Sequence, residues 1–393
     1  LNFANEFSFL KQLKELHQIL TDKMTSRIAN LEVDNNFLSI DFHDYHYSYV
    51  NSIRRSILQD IKVYGFNRED INITANTTFL NNQFISHRIS MIPIHNPKGL
   101  RLQDYNFTMD IKNNTNEIID ITTDDFVITH KTNGSQVNVS SIFPHDPITR
   151  EPIILTRMNP ARFQEVLKFT ATPTIGTAKT HHAGFQATSQ ASYTYVQDPA
   201  KVQAELERLL QKAADEKGEQ LTDEEQASLT REYLTLDAKR QYHTNEKNEP
   251  NYFNFKIESI GNVPVQTIIP AACDAISERL TNLEVEHRKQ DSDIIQYMNS
   301  KKHKNAIIIK INKEDDTIIN IIRHYIYEHI LSTGDNITYI GYKRPHYLKD
   351  YMIIKMIVKD GDINYAKTAF ETSLRELKGI YDTIRKQYVS LLN

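Results

Sequence analysis

The chain has 393 residues, 39% of them hydrophobic and 24% charged, which suits two or three domains with real cores and excludes a wholly disordered chain. Its 46 Lys+Arg against 50 Asp+Glu leave a net charge of −4, which excludes nucleic-acid binding through bulk positive charge, though not through a local basic patch. One cysteine, Cys273, excludes a disulfide framework and any four-cysteine metal site, and the absence of GxGxxG or GxxxxGK[ST] argues against a phosphate-cradling loop.

The first element, over 1–25, reads as a charged amphipathic helix rather than a signal peptide. Phe9, Leu13, Leu16 and Leu20 recur at helical spacing, and Lys11, Lys14 and Glu15 interrupt them. With no apolar run long enough to span a bilayer, an intracellular, reducing compartment is expected. The sequons at Asn72, Asn76 and Asn138 then read as by-products of an Asn-rich composition. Residues 28–42 alternate (Leu31, Val33, then Phe37, Leu38, Ile40, Phe42) around Asp34-Asn35-Asn36, which predicts a hairpin. A helix is expected from about Ser48, with Val50, Ile53, Ile57 and Ile61 on one face and Arg54 and Arg55 off it.

Residues 71–94 read as strand, turn, short helix and strand. Residues 100–200, rich in Thr, Asn and Ile and broken by Pro144, Pro147, Pro152, Pro160 and Pro173, read as loopy β structure. The composition then shifts to Ala, Glu, Leu and Lys. Two helices joined near Gly218 are expected, the second opened by a capping box at Thr222 and Glu225, and 199–248 reads as an insertion. A strand with Phe253, Phe255 and Ile257 precedes Gly261-Asn262. The following helix runs to about His287, with Pro264 suiting its start and Pro270 expected to kink or restart it. The polar stretch 287–304 is the expected linker, and 305–393 reads strand, helix, strand, strand, helix.

An internal repeat emerges when residues 49–61 are laid on 318–330. Asn51, Ile53, Arg54, Ile57 and Ile61 coincide with Asn320, Ile322, Arg323, Ile326 and Ile330, and Val50 falls on Ile319. Each segment follows a strand. Two related α+β units are implied, with their apolar helix faces packed on each other across a pseudo-two-fold.

The same residues carry a family resemblance. Asn51-Ser-Ile-Arg-Arg55, and the stretch 76–94 ending His87-Arg-Ile-Ser-Met-Ile-Pro-Ile94, resemble the third-largest subunit of eukaryotic RNA polymerase II and its archaeal counterpart, relatives of the bacterial α N-terminal domain. The resemblance resumes at Phe253-Asn-Phe-Lys-Ile-Glu-Ser-Ile-Gly-Asn-Val-Pro-Val265. Asp316-Thr-Ile-Ile-Asn-Ile-Ile-Arg323 and Ile340-Gly-Tyr-Lys-Arg-Pro-His346 resemble the small partner of that polymerase component. Such a fusion resembles the arrangement in large cytoplasmic DNA viruses. Three departures stand out. No cysteine cluster follows Ile94, Ile319 stands where the small partner usually has Gly, and Tyr347 replaces a second Pro.

The resemblance implies an α+β fold of two α-like dimerisation units, each an antiparallel sheet plus helices, pairing within one chain. The first unit would comprise 26–63 and 251–290, interrupted by a β-rich insert domain over 64–250 that carries the helical insertion. A linker, 291–304, would lead to the second unit, 305–393. The implied function is a non-catalytic assembly platform of a DNA-directed RNA polymerase, without its own cofactor, inside the host cell and packaged in the virion. Its expected partners are the two largest subunits and a small accessory subunit, with no sequence-specific nucleic-acid contact and no membrane. Arg54 and Arg55 are expected to hold the second-largest subunit, because the guanidinium fork bonds carboxylates and backbone carbonyls. Arg323, at the repeated position, is a weaker candidate, and His87 and Arg88 are expected in packing and interface contact. Val50, Ile53, Ile57 and Ile61 would pair with Ile319, Ile322, Ile326 and Ile330.

Other residues admit other readings. Asp41, His43, Asp44 and His46 are an alternative metal-dependent hydrolase cluster, read in preference as a strand end followed by a helix N-cap. His181-His182 reads as a loop. Tyr342-Lys343-Arg344 with His346 reads as a basic aromatic turn supporting subunit packing, or as a contact to nucleic acid or an acidic surface. A free-standing dimerising scaffold or transcription regulator is the third reading.

Overall fold

The computed structural model describes residues 27–392 except Asn96, Lys98, Gly99, Pro147, Gln290, Lys301, Lys302 and Asp335. The N-terminal helix expected over 1–25 lies outside the described residues. Strands β1 (Ile28–Asp34) and β2 (Phe37–His43) form the expected hairpin. Asn35 takes the left-handed conformation that so tight a turn requires (φ 50). Leu38, Ile40 and Phe42 alternate onto one buried face. Helix α1 (Tyr47–Gln59) follows, N-capped by the His46 ring, which accepts from Ser48 N. It buries Val50, Ile53 and Ile57. Ile61 lies past the C-cap Asp60 and so is not on the helix as expected, yet it is buried in the same core.

The chain then builds a separate domain. Its strands are β3 (Val63–Gly65), β4 (Ile71–Asn76), β5 (Tyr105–Lys112), β6 (Ile119–Thr122), β7 (Val127–His130), β8 (Ile154–Met158), β9 (Val166–Ala171) and β10 (Thr174–Gly176), with helix α2 (Asn82–Ser90) after β4. A four-stranded sheet, order β4-β9-β5-β7, and the pairs β6-β8 and β3-β10 surround its own core. Phenylalanines fill that core edge to face: Phe66 on Phe107 at 5.4 Å and Phe126 on Phe169 at 5.4 Å. The strand expected at 91–94 does not form, because Pro93 cannot donate to a ladder. Ile92 and Ile94 enter the core as irregular chain instead.

Strand β11 (Thr188–Tyr195) returns to the first sheet, so the insert domain ends before it and does not extend to 250 as expected. Helices α3 (Pro199–Lys217) and α4 (Asp223–Leu236) are the expected insertion, with Gly218 at φ 74 ending the first and the Thr222/Glu225 box opening the second. Nothing in α3 is buried, and only Tyr233 in α4 is, so the pair projects from the hairpin that β11 makes with β12 (Tyr252–Ser259). Helix α5 (Ile268–His287) completes the unit. Pro270 neither kinks nor restarts it, since in the first turn its missing N–H has no intrahelical partner to lose.

The expected linker holds strand β13 (Ile295–Asn299), which pairs with β14 (Ala306–Asn312) from Ile295↔Ile311 to Asn299↔Ile307. Then come α6 (Asp316–Ile326), a π-helical turn (Tyr327–Leu331) that carries Ile330, β15 (Ile337–Lys343), β16 (Tyr351–Val358) and α7 (Ile363–Leu392). The two sheets have matching order, β1-β2-β12-β11 and β13-β14-β16-β15. The duplication is therefore one of topology, hairpin–helix–hairpin–helix, with α1 matching α6 and α5 matching α7.

Both sheets lay their apolar faces on one shared layer of helices. Helix α5 runs along α7, and α1 packs on both α5 and α6. Small side chains let α1 approach closely: Ser52 shares a 2.5 Å hydrogen bond with the Tyr381 hydroxyl, and Ser56 donates to Ala272 O. One continuous core includes Val50, Ile53, Ile57 and Ile61 from the first unit and Ile319, Ile322, Ile326 and Ile330 from the second. Among the described residues no helix is long and apolar enough to cross a membrane.

Each fully buried aliphatic side chain contributes about 1.5–3 kcal/mol, so the two units should hold together without a covalent link. A protease site placed at the exposed Asp291, between α5 and β13, and cut after folding should give two fragments that co-elute. Fragments that separate at micromolar concentration would contradict a shared core.

Candidate functional site

At the seam between the units, the repeated residues make matching contacts. Arg54 Nε donates to Asn51 Oδ1 at 3.0 Å, and Arg323 Nη2 donates to Asn320 Oδ1 at 2.9 Å. Asn320 Nδ2 also reaches across the seam to Ser48 Oγ at 3.2 Å. Arg54 and Arg55 are both half-buried on α1. Arg55 lines a small polar cavity with Ser48, Ser52, Asp316, Thr317 and Tyr342, in which neither Arg55 Nε nor Thr317 Oγ1 finds a partner among the described residues.

On the opposite side of the pseudo-two-fold the same positions carry other chemistry. His324 stands where the repeat places Arg55, and it stacks on His46, the cap of α1, with ring centroids 3.6 Å apart and planes 10° apart. Glu249 approaches His46 Nε2 at 3.8 Å. Burial pushes His46 down to about 4, partly countered by Glu249. Burial lowers His324 further, and the neighbouring His46 adds to this. Both rings are therefore neutral at pH 7 and can stack without repulsion. They line a cavity of about 300 Å³ with Tyr49, Glu328 and His329.

Arg279 of α5 ties three parts of the chain together. Its guanidinium bonds Asp60 at 3.0 Å, Glu314 at 2.5 Å and Asp315 at 2.9 Å, and Lys179 bonds Asp315 at 2.7 Å. Burial alone would favour the neutral guanidine, but Glu314 and Asp315 hold it charged. Burial likewise opposes ionisation of Asp315, and Arg279 with Lys179 outweighs it, holding the carboxyl well below the usual range. Asp315 also caps α6 by accepting from Thr317 N. Glu314 moves up instead, because its burial exceeds what Arg279 returns.

The remaining candidates are scattered. His87 and Arg88 lie exposed on α2, in the insert domain, where Arg88 Nη2 donates to Ile154 O at 2.6 Å and so fastens α2 to β8. Asp41 is buried on the outer face of β2 and accepts from Asn30, Tyr252 and Asn254. Asp44 accepts from Asn251, and His43 stacks on Tyr252. The helix cap next to them is His46, not the acid. Among the described residues no group of three or more His, Cys, Asp or Glu is arranged to hold a metal ion, so the hydrolase reading finds no assembled cluster. His182 sits in a loop, its ring accepting from Gly184 N. Arg344 reaches Asp316 at 3.7 Å, which sets the basic turn against the N-terminus of α6.

Sequence reading missed the Arg279 cluster and an open groove beside Arg54 formed with Lys239 and residues 191–195. Neither has a local signature, since each joins residues far apart in the chain.

Two family descriptions match the chain, and both read RNA polymerase Rpb3/Rpb11 dimerisation domain. One spans residues 39–280, more than half the chain, and the other spans 306–387. The first match runs from within β2 to within α5 and so takes in the insert and all of the first unit but β1 and the outer ends of β2 and α5, and the second covers most of the second unit. Two such domains in one chain make an Rpb3/Rpb11-like fusion.

Two stability measurements follow. Arg279→Met would leave three carboxylates facing only Lys179, and urea unfolding at pH 7 should show a loss of about 3–5 kcal/mol. The deficit should shrink as the pH falls and those carboxylates take up protons. An unchanged midpoint would remove the cluster as a tie. For His46 and His324, the unfolded rings bind protons near 6.5 while the folded ones resist. Their contribution should be complete above about pH 7 and should decline as the pH falls from 6.5 towards 4, by up to about 1.4 kcal/mol per pH unit per ring. His324→Phe should flatten that slope, and an equal slope in the variant would show that the stack does not titrate with folding.

Proposed function

The chain belongs to the RNA polymerase Rpb3/Rpb11 dimerisation family, and from that premise we propose that it is the complete α-like pair of a multisubunit DNA-directed RNA polymerase. It is an assembly subunit of Rpb3/Rpb11 type and partners with other polymerase subunits. In our reading it is a non-catalytic platform for the two largest subunits, and a small accessory subunit completes the set. β1, β2, α1, β11, β12 and α5 form the first unit, β3–β10 the insert domain, and β13 to α7 the second unit.

The observation that supports this reading most is the shared helical layer. In a family whose domains dimerise, the faces that would pair are already buried within this chain, so its exposed surface is free for other subunits. Arg54 and Arg55 are our docking residues for the second-largest subunit, with His87 and Arg88 on a further contact surface. The single-chain fusion and the Asn/Ile-rich composition support an origin in a large DNA virus, with the enzyme carried in the virion.

Replacing both Arg54 and Arg55 with Glu should cut recovery of the second-largest subunit by about tenfold or more. The circular dichroism spectrum should stay unchanged. Normal recovery of that subunit by the doubly substituted chain would sink the docking assignment.

A further inference from the structure

Among the described residues, the first sheet ends beside Arg54 in an open edge. β11 is the terminal strand of its sheet. Val196 N donates to Tyr252 O, and bonded pairs alternate along an antiparallel ladder. In the register Ala191↔Ile257, Tyr193↔Phe255 and Tyr195↔Phe253, these three pairs are therefore the non-bonded ones. The N–H and C=O groups of Ala191, Tyr193 and Tyr195 face away from β12, and among the described residues no other segment bonds to them. Immediately beyond, the edge is closed: His243 N donates to Val196 O, and Gln197 bridges Tyr242.

The open stretch forms one wall of a groove of about 580 Å³, which Asn51, Arg54 and Lys239 complete. Among the described residues no carboxylate lines it, while Arg54 and the exposed Lys239 make it positive. Edges that must stay unpaired are commonly blunted by a charge or a proline. β11, Thr-Ser-Gln-Ala-Ser-Tyr-Thr-Tyr, carries neither, whereas its repeat counterpart β15 ends in Lys343.

We propose that this edge receives an extended acidic segment of the second-largest polymerase subunit. The segment adds a strand beside β11, its backbone bonding Ala191, Tyr193 and Tyr195 and its carboxylates meeting Arg54 and Lys239. Main-chain pairing supplies affinity and the flanking charges select the sequence. The inference rests on the docking role of Arg54 and specifies the conformation and charge of what docks.

The test is residue-resolved amide hydrogen exchange on the full chain, alone and co-expressed with the second-largest subunit. The amides of Ala191, Tyr193 and Tyr195 should exchange quickly in the chain alone and at least about tenfold more slowly in the complex. Those of Ser192 and Thr194, bonded to β12, should be slow in both. Lys239→Glu should weaken the complex by about tenfold. A complex that forms without protection at these amides overturns strand addition and leaves the docking reading standing. Protection already present in the chain alone would mean that its own residues 1–26 or another segment fill the edge, which also overturns it. Unchanged affinity for Lys239→Glu overturns the acidic partner, and failure to form any complex removes the docking reading together with the inference.

Discussion

Everything in this chain depends on one layer of helices being covered from both sides. Helices α1, α5, α6 and α7 lie between two four-stranded sheets, and each sheet has an apolar face that needs a cover. A single unit of sheet and two helices could satisfy one side of its helices only. The second unit satisfies the other, so the core of the chain is also the interface of its duplication. The Arg279 cluster sits at the rim of that interface and joins α5, the end of α1, the start of α6 and the loop that carries Lys179. It adds directionality to an otherwise non-directional hydrophobic contact.

The pseudo-symmetry is close in topology and broken in chemistry. Asn51 with Arg54 and Asn320 with Arg323 repeat a contact almost unchanged. One residue further on, Arg55 faces the acidic start of α6, whereas His324 stacks on the cap of α1. The acid–base pattern therefore differs on the two sides of the axis, which disfavours pairing of either unit with a copy of itself. The β11–β12 connection carries the projecting helices α3 and α4, where the β15–β16 connection is a short basic turn. The two ends of the molecule thus offer different surfaces.

Much of this was legible in the sequence because its signals are local. The hairpin at Asp34-Asn35-Asn36, the face Val50/Ile53/Ile57, the Thr222/Glu225 box and the repeat of Asn, Ile and Arg all lie within a turn or two of helix or strand. What was not legible depends on distant partners. β13 is short and lies in an otherwise polar stretch, and only pairing with β14 makes it a strand. β11 resembles its loopy surroundings until β12 recruits it. Ile61 continues a helical period, although the helix has already ended at Asp60. Pro270 reads as a breaker only when its place in the first turn is unknown. The Arg279 cluster joins positions as far apart as 60, 179, 279 and 315, and no spacing rule anticipates it.

The central claim is that one polypeptide supplies both members of the α-like pair. Native mass spectrometry of the intact polymerase purified through this chain tests it most directly. One copy of the chain is expected for each copy of the two largest subunits, with no separate small subunit of the dimerisation family. Two copies of the chain per enzyme, or a free small partner bound beside it, would contradict that claim.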